Sequence, residues 1–340
     1  MNDTFTISGG SIFRVVLTGI LLYVAYKILP IIVVFFLAIV IASAFEPLIQ
    51  FLRGYRLSRI AAALLIYLVI FAIAGSVFYY LLPPVFDEFS SFLKDFPRIE
   101  DELIHADFLE GIPFYSVLTD HVSAVSETGF GILQSTGGGV VQFFTKVFGG
   151  VVSFILLIVV SFYLLVQEHG LVSFIQLVTP LRYEHYILEL WTRSKRKLGM
   201  WLRTMFVLMA IVGTLVYISL ALIGIKYSFL LGILSGVFEI VPIVGPILAA
   251  VPGIALGLLD SPTTGLMVLL VYVIIQQIEN HVLVPLIMQR AIGLNPLVVM
   301  LAVIIGGKLG GVLGVLVAVP LSAVIVEIIE DFDRRRRVTP

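Results

Sequence analysis

Apolar residues in this chain run in long unbroken blocks rather than alternating with polar ones. The blocks lie at about 11–29, 30–45, 60–82, 147–166, 204–223, 228–259, 263–285 and 296–328. Most reach the roughly 18 to 20 residues that a helix needs to cross a hydrocarbon core about 30 Å thick. In that solvent the backbone must satisfy its own hydrogen bonds, which helices do. The pattern predicts an all-α polytopic integral membrane protein with about eight hydrophobic segments. The first block is too long, and too closely followed by the second, for a cleaved leader, so two early spans are expected.

Two blocks are longer than one crossing requires and are broken near their centres. PIVGP at 242–246 divides 228–259, and GGKLGG at 306–311 divides 296–328. If each is a kinked crossing the chain has eight spans; if each is a re-entrant hairpin it has six spans plus two hairpins. The hairpin reading pairs 204–259 with 263–328 as inverted repeats, an arrangement that places a binding site where broken helices meet. Arg290 separates the two readings, because only the hairpins put it on the cytoplasmic side with the other bases.

Charge sets the orientation. Segments 46–59 and 167–203 and the tail DFDRRRRVTP are basic, whereas 83–146 holds ten acids against Lys94, Arg98 and Lys146. Short basic loops stay in the cytoplasm, so both termini are expected there, with 83–146 outside a cell membrane. Within that segment Phe86, Phe89, Leu93 and Phe96 recur at helical spacing among acids and serines, predicting an amphipathic helix that braces the spans. GFGILQSTGGGVVQFF, at 129–144, reads as a flexible lead into the next span. The expected division is a scaffold at 1–82, an acidic outer segment at 83–146, a fourth span and basic loop at 147–200, a transport unit at 201–328 and a basic tail at 329–340.

Composition agrees: 60% hydrophobic, 13% charged, mean hydropathy +1.12. There is no cysteine and the formal net charge is -1, which leaves no basis for thiolate metal sites or nucleic-acid binding. No HExxH, GxSxG or Walker-type motif occurs, so neither catalysis nor a cofactor is expected. The partners expected are membrane lipid, a small polar substrate and Na+ or H+.

Candidate chemistry is confined to a few polar residues at bilayer depth, each costing about 2.5 to 3.5 kcal/mol to insert. Glu239 precedes the PIVGP break, and Pro242 should free the carbonyl of Phe238 to face a cavity or an ion. Gln276, Glu279 and Asn280 fall on one side of a helix in QQIENHVLVP, either as a site or as glue between helices. His281 points away from Asn280 and reads as packing. Lys308 is the base near the middle of the last block, with Glu239 or Glu279 as its natural counter-ion.

The stretches FEIVPIVGPILAAVPG and QQIENHVLVPLIMQRAIGLNPLVVMLAVIIGGKLGGVLGVLVAVPLSAVI closely resemble the autoinducer-2 exporter family, also called PerM-like membrane permeases. The motifs cover the C-terminal 110 residues, and the rest resembles the family in layout. The resemblance implies an oligomeric transporter, a pentamer, whose relatives export small signalling molecules or exchange sodium for protons. It places family motif residues at Glu239, Pro242, Gly245 and Pro246, at Gln276, Glu279, Asn280 and the hinge Pro285, and at Gly306, Gly307, Gly310, Gly311 and Pro320.

Overall fold

The computed structural model describes residues 9–104, 150–167, 170–242, 244–288 and 295–338, and every element in them is helical. In chain order these are α1 (Gly9–Arg53), α2 (Arg59–Ile104), α3 (Val151–Val166), α4 (Gly170–Val178), α5 (Leu181–Ile223), α6 (Ser228–Phe238), α7 (Val244–Asp260), α8 (Pro262–Ile278) and α9 (Pro296–Val338). Between α8 and α9 the helix continues as a π-helical segment, Glu279–Met288. Among the described residues five helices are long and apolar enough to cross a membrane, or six if α3 and α4 form one bent span.

Three sequence boundaries dissolve into continuous helix. The blocks 11–29 and 30–45, expected as two early spans, form the single 45-residue α1 with Pro30 inside it. Proline in an apolar helix removes one donor without ending the helix when the surroundings re-satisfy the freed carbonyl, so hydropathy alone places a false break there. The amphipathic segment after 82 continues the third block as the second half of α2. The basic segment expected as a loop up to residue 203 is α4 and the first half of α5, which runs unbroken across 200–201. From Leu181 the α5 sequence lacks proline and glycine up to Gly199, and Ser194, Leu198, Trp201 and Met205 recur as a buried stripe at helical spacing. Gly224 ends α5 in the left-handed conformation (φ 89°), its N–H donating to the carbonyls of Leu220 and Ala221. Stretch 129–144 lies outside the described residues.

The first half of α1 exposes Val16, Leu17, Ile20, Leu21 and Tyr23, whereas its second half buries Val34, Ala38, Val40, Ala42 and Ile49. Around that second half, α2 supplies Ala62, Ala63, Ile66 and Tyr67, and α3 supplies Leu165. On its other side α5 and α9 add Leu198, Trp201, Met205, Val303, Ala318 and Val319. Gly199 on α5 meets Ser43 on α1 so closely that a Cβ there would fall 3.1 Å from the Ala44 nitrogen, with the Ser43 carbonyl nearer still. A third cluster joins Phe92 of α2, Val212, Val216 and Leu220 of α5, Leu231 of α6, Ala255 and Leu256 of α7, and Val268 and Ile275 of α8. Helix α5 thus contributes to two of these clusters.

Both broken blocks double back. Leu231 and Ala255, 24 positions apart, share one cluster, so α6 and α7 are antiparallel limbs with residues 239–242 at the tip. In α9 the chain turns at Gly311 (φ 58°, ψ -138°), and a Cβ on Gly306 would lie 2.9 Å from that of Ala318. Residues 12 apart on a straight helix are about 18 Å apart, so Leu297–Gly311 and Leu313–Phe332 are likewise two limbs. Limb α6 has 11 residues, about 17 Å, which is little more than half the hydrocarbon core.

The two hairpins enter from opposite ends of the bundle. At the base of the first, Asp95 on α2 accepts from Lys226 (2.6 Å) and from the Tyr227 hydroxyl (2.7 Å), and Glu88 accepts from the Leu230 N–H at the start of α6. Phe92 stacks edge-on to Tyr227 between them, with ring centroids 5.7 Å apart. Of the stripe expected from spacing, Phe89 packs against the same cluster, and the side chains of Phe86, Leu93 and Phe96 lie outside the described residues. The Asp95 carboxylate beside Lys226 holds its ammonium above the ordinary lysine range. The base of the second hairpin lies at the other end, called here the basic end. There Glu327 and Asp331 pair with Arg193 and Lys197 of α5. Beside them Glu46 of α1 accepts from Arg59 (2.9 Å) and Lys195 (3.3 Å).

Candidate functional site

Hairpin one ends in a tight, self-bonded tip. The Glu239 N–H donates to Ser235, Ile240 to Val237, Val241 to Phe238 and Gly245 to Val241, so successive turns close without outside partners. This corrects the expectation for Phe238: its carbonyl is not freed by Pro242 but accepts from Val241 at 2.9 Å. The same carbonyl lies against Gly245, where a Cβ would overlap it, so the tip closes only with glycine at that position. Pro242 and Pro246 are half-buried on either side.

Glu239 is carried by this tip and is only 2% exposed. Across from it Glu279, 7% exposed, sits where α8 widens into the π-helical segment, and the two carboxyl groups are close enough to share a hydrogen bond. The Gln276 side-chain amide donates to Glu279 Oε2 at 3.1 Å, and Glu239 Oε2 has no partner among the described residues. Pro285 lies inside the π-helical segment and adds no N–H to it. Wide turns of this kind occur mostly as short interruptions at functional sites.

Two further residues complete the polar stripe. Ser235 lies one turn before Glu239 on α6, and Tyr272 lies one turn before Gln276 and two before Glu279 on α8. Tyr272 approaches the Ser235 side chain, its hydroxyl donates to the Ala249 carbonyl at 3.4 Å, and its ring leaves no room for a Cβ on Gly253. It therefore joins both limbs of hairpin one to the helix bearing Glu279. Spacing from Glu239 and Gln276 could have found both, but each reads as ordinary packing in an apolar block.

Other sequence candidates fall elsewhere. Asn280 is exposed while its neighbour Glu279 is buried, because the buried stripe is narrower than the 100° step between adjacent residues. His281 is also exposed and bonds the Gln277 carbonyl at 3.0 Å. Lys308 is exposed near the tip of hairpin two and makes no ion pair among the described residues, so it is not the counter-ion of either glutamate. The glycines there act by close approach: Gly306 and Gly307 pack against the returning limb, Gly311 makes the turn, and Gly310 borders open space. Pro320 is buried on the returning limb. Arg290 lies outside the described residues.

The sequence profile of the AI-2E family transporter group matches residues 12–334. YueF of Bacillus subtilis (strain 168), named as a transport protein, is 26% identical over 292 residues, which cover 83% of this chain and 78% of that protein. PerM of Escherichia coli (strain K12), named as a permease, is 27% identical over 321 residues, covering 92% of this chain and 89% of its own length. The AI-2 transport protein TqsA of the same organism is 35% identical over 116 residues, 34% of each chain. A profile match across nearly the whole sequence, on a helical bundle with two broken-helix hairpins, places this multi-pass membrane chain in the AI-2E family of transporters.

Proposed function

We propose that the protein is a secondary transporter that exports a small polar molecule, such as a signalling metabolite, and couples this to protons carried by the Glu239–Glu279 pair. The observation that carries the reading is the contact between two buried carboxyl groups that, among the described residues, form no ion pair with a basic side chain. A carboxylate only accepts hydrogen bonds, so two carboxyl groups in contact need a proton or a bound cation between them. Holding such groups at bilayer depth is expensive, and this makes a transport role the default hypothesis. Glu239 sits on a hairpin tip and Glu279 on a separate helix, so motion of one against the other would make or break the proton's second partner.

The relative named for AI-2 transport supports a small signalling molecule as cargo. The charge of the basic end supports a cytoplasmic placement for it and for both termini, and family resemblance supports a homo-oligomer, a pentamer. Hairpins that enter from opposite ends support re-entrant inverted repeats rather than eight crossings. Because two carboxylates also suit Na+, sodium/proton exchange is the second reading.

Proteoliposomes with imposed proton or sodium gradients test this directly. Wild-type protein should move protons with a small polyol cargo, and Glu279→Gln should abolish the proton flux while assembly and melting temperature stay nearly unchanged. Cargo flux that ignores both gradients, with Glu279→Gln as active as wild type, would reduce the pair to glue between helices.

A further inference from the structure

Below the glutamate pair, α5 carries a polar stripe that the site does not use. Gly236 of α6 packs against the Met209 carbonyl and Gly213 of α5, which sets Glu239, one turn on, near residues 205–206 of α5. Val241 of the same tip joins the cluster that contains Trp201. From Trp201 toward the basic end follow Lys197, Ser194 and Arg193. Trp201 and Ser194 are 2% and 4% exposed, and Trp201 Nε1 and Ser194 Oγ have no hydrogen-bond partner among the described residues. They lie seven positions apart, two turns on one face. Interiors rarely leave one such donor unpaired, because its desolvation is not repaid. Two on one face point to a polar occupant that this arrangement of helices excludes.

Around that stripe stands a ladder of charges. Arg193 and Lys197, one turn apart on α5, pair with Glu327 and Asp331, one turn apart on the returning limb of α9. Both acids are buried, at 3% and 7% exposed, and Arg193 reaches both. The limb they belong to is the one whose partner bears Val303, packed with Trp201 and Ala318. A shift of hairpin two away from α5 would therefore break the ladder and uncover Trp201 and Ser194 together.

We propose that Trp201 and Ser194 line the half of the translocation path between the glutamate pair and the basic end, and that the Arg193/Lys197–Glu327/Asp331 ladder is the gate that closes it. The occupant is water or a solute bearing hydrogen-bond acceptor oxygens, to which the lone indole N–H donates. The inference rests on the transporter reading but not on proton coupling.

The natural absence of cysteine gives a clean test. Ser194→Cys protein in proteoliposomes is treated with the impermeant reagent 2-sulfonatoethyl methanethiosulfonate, applied to each face in turn. With the ladder intact the reaction should be slow. Adding Glu327→Gln and Asp331→Asn should speed it by about tenfold or more from the basic end, because removing the closed state's pairing shifts the population toward the open one. Reversing the whole ladder, Arg193→Glu and Lys197→Glu with Glu327→Lys and Asp331→Lys, should return it to slow, and Lys197→Glu alone serves as the open background if the neutralised variant does not fold. Val268→Cys, fully buried in the cluster at the other end, must stay unreactive throughout. Equal rates with and without the ladder, reaction from the opposite face alone, or labelling of Val268→Cys as well would each overturn the gate. Repeating the series in a Glu279→Gln background, whose starting rate is free to differ, should still show the acceleration on breaking the ladder, so failure of proton coupling and failure of the gate are read separately.

Discussion

The two hairpins solve one problem, turning an apolar chain inside a bundle, with opposite chemistry at the tip. Hairpin one turns at Glu239–Val241 through successive short-range backbone bonds, closes on Gly245 and buries its charge. Hairpin two turns at a single glycine with positive φ, borders open space at Gly310 and leaves Lys308 exposed. Breaking a helix is therefore not what makes a site. The difference lies in what closes over the tip: α8 and its π-helical segment bring a second carboxyl group to Glu239, whereas among the described residues no counter-charge meets Lys308.

If that contrast governs transport, Glu239→Gln and Lys308→Gln should separate widely. The first should lower proton-coupled flux by about tenfold or more, because it removes a group acting on the ion itself. It should not destabilise the protein, since it takes away a costly buried carboxyl group. Glu239→Asp should keep part of the flux with a shifted pH midpoint. Lys308→Gln should leave flux within a factor of about two, as surface substitutions away from special features usually do. Equal losses in the two variants would erase the distinction between the tips.

Stability should divide the tips as well. Gly245→Ala places a methyl on the Phe238 carbonyl in a tip with no slack, and should cost about 2 to 4 kcal/mol in a thermal unfolding assay in detergent. Gly306→Val wedges the limbs of hairpin two against Ala318 and the Gly314 backbone, costing about 1 to 3 kcal/mol. Gly310→Ala, facing open space, should stay within about 0.5 kcal/mol. A Gly310 cost matching that of Gly245 would mean that both tips are equally closed.

Much of this was legible in the sequence, and the failures share one cause. Apolar runs and central Gly and Pro breaks located the apolar helical segments and the two interrupted ones, because each reflects a backbone property of the residue itself, but left the choice between hairpins and kinked crossings open. Glu239, Gln276 and Glu279 stood out because ionisable and amide groups are rare at that depth. What could not be read was which neighbour fills the space. Pro30 in α1 looks like a break until the helix around it is seen to continue. Lys308 looked like a counter-ion because it was the nearest base along an apolar run, not because anything placed it there. Tyr272 was missed because one residue type serves both as packing and as a hydrogen-bond donor, and only the approach of Ser235 and Gly253 tells which.

The smallest expected effect concerns how hairpin one is moored. Its base is held by Asp95 through Lys226 and Tyr227, and by Glu88 at the start of α6, whereas hairpin two is held by the buried acids Glu327 and Asp331. The Lys226 and Asp95 side chains are 68% and 45% exposed, so solvent screens them and the pair should contribute no more than about 1 kcal/mol. Lys226→Met should therefore lower the melting temperature only slightly, and added salt should shrink the difference. The sign with pH follows from the raised position of Lys226 in the folded protein. Its contribution is fully present below the unfolded lysine value near 10.5 and is lost as pH climbs through the higher folded value. Between pH 7 and 9, then, wild type and Lys226→Met should melt a constant interval apart, closing only in strong alkali. An interval that widened as pH rose from 7 to 9 would break this account of the mooring and shift its weight to the Glu88 cap and the Phe92–Tyr227 contact.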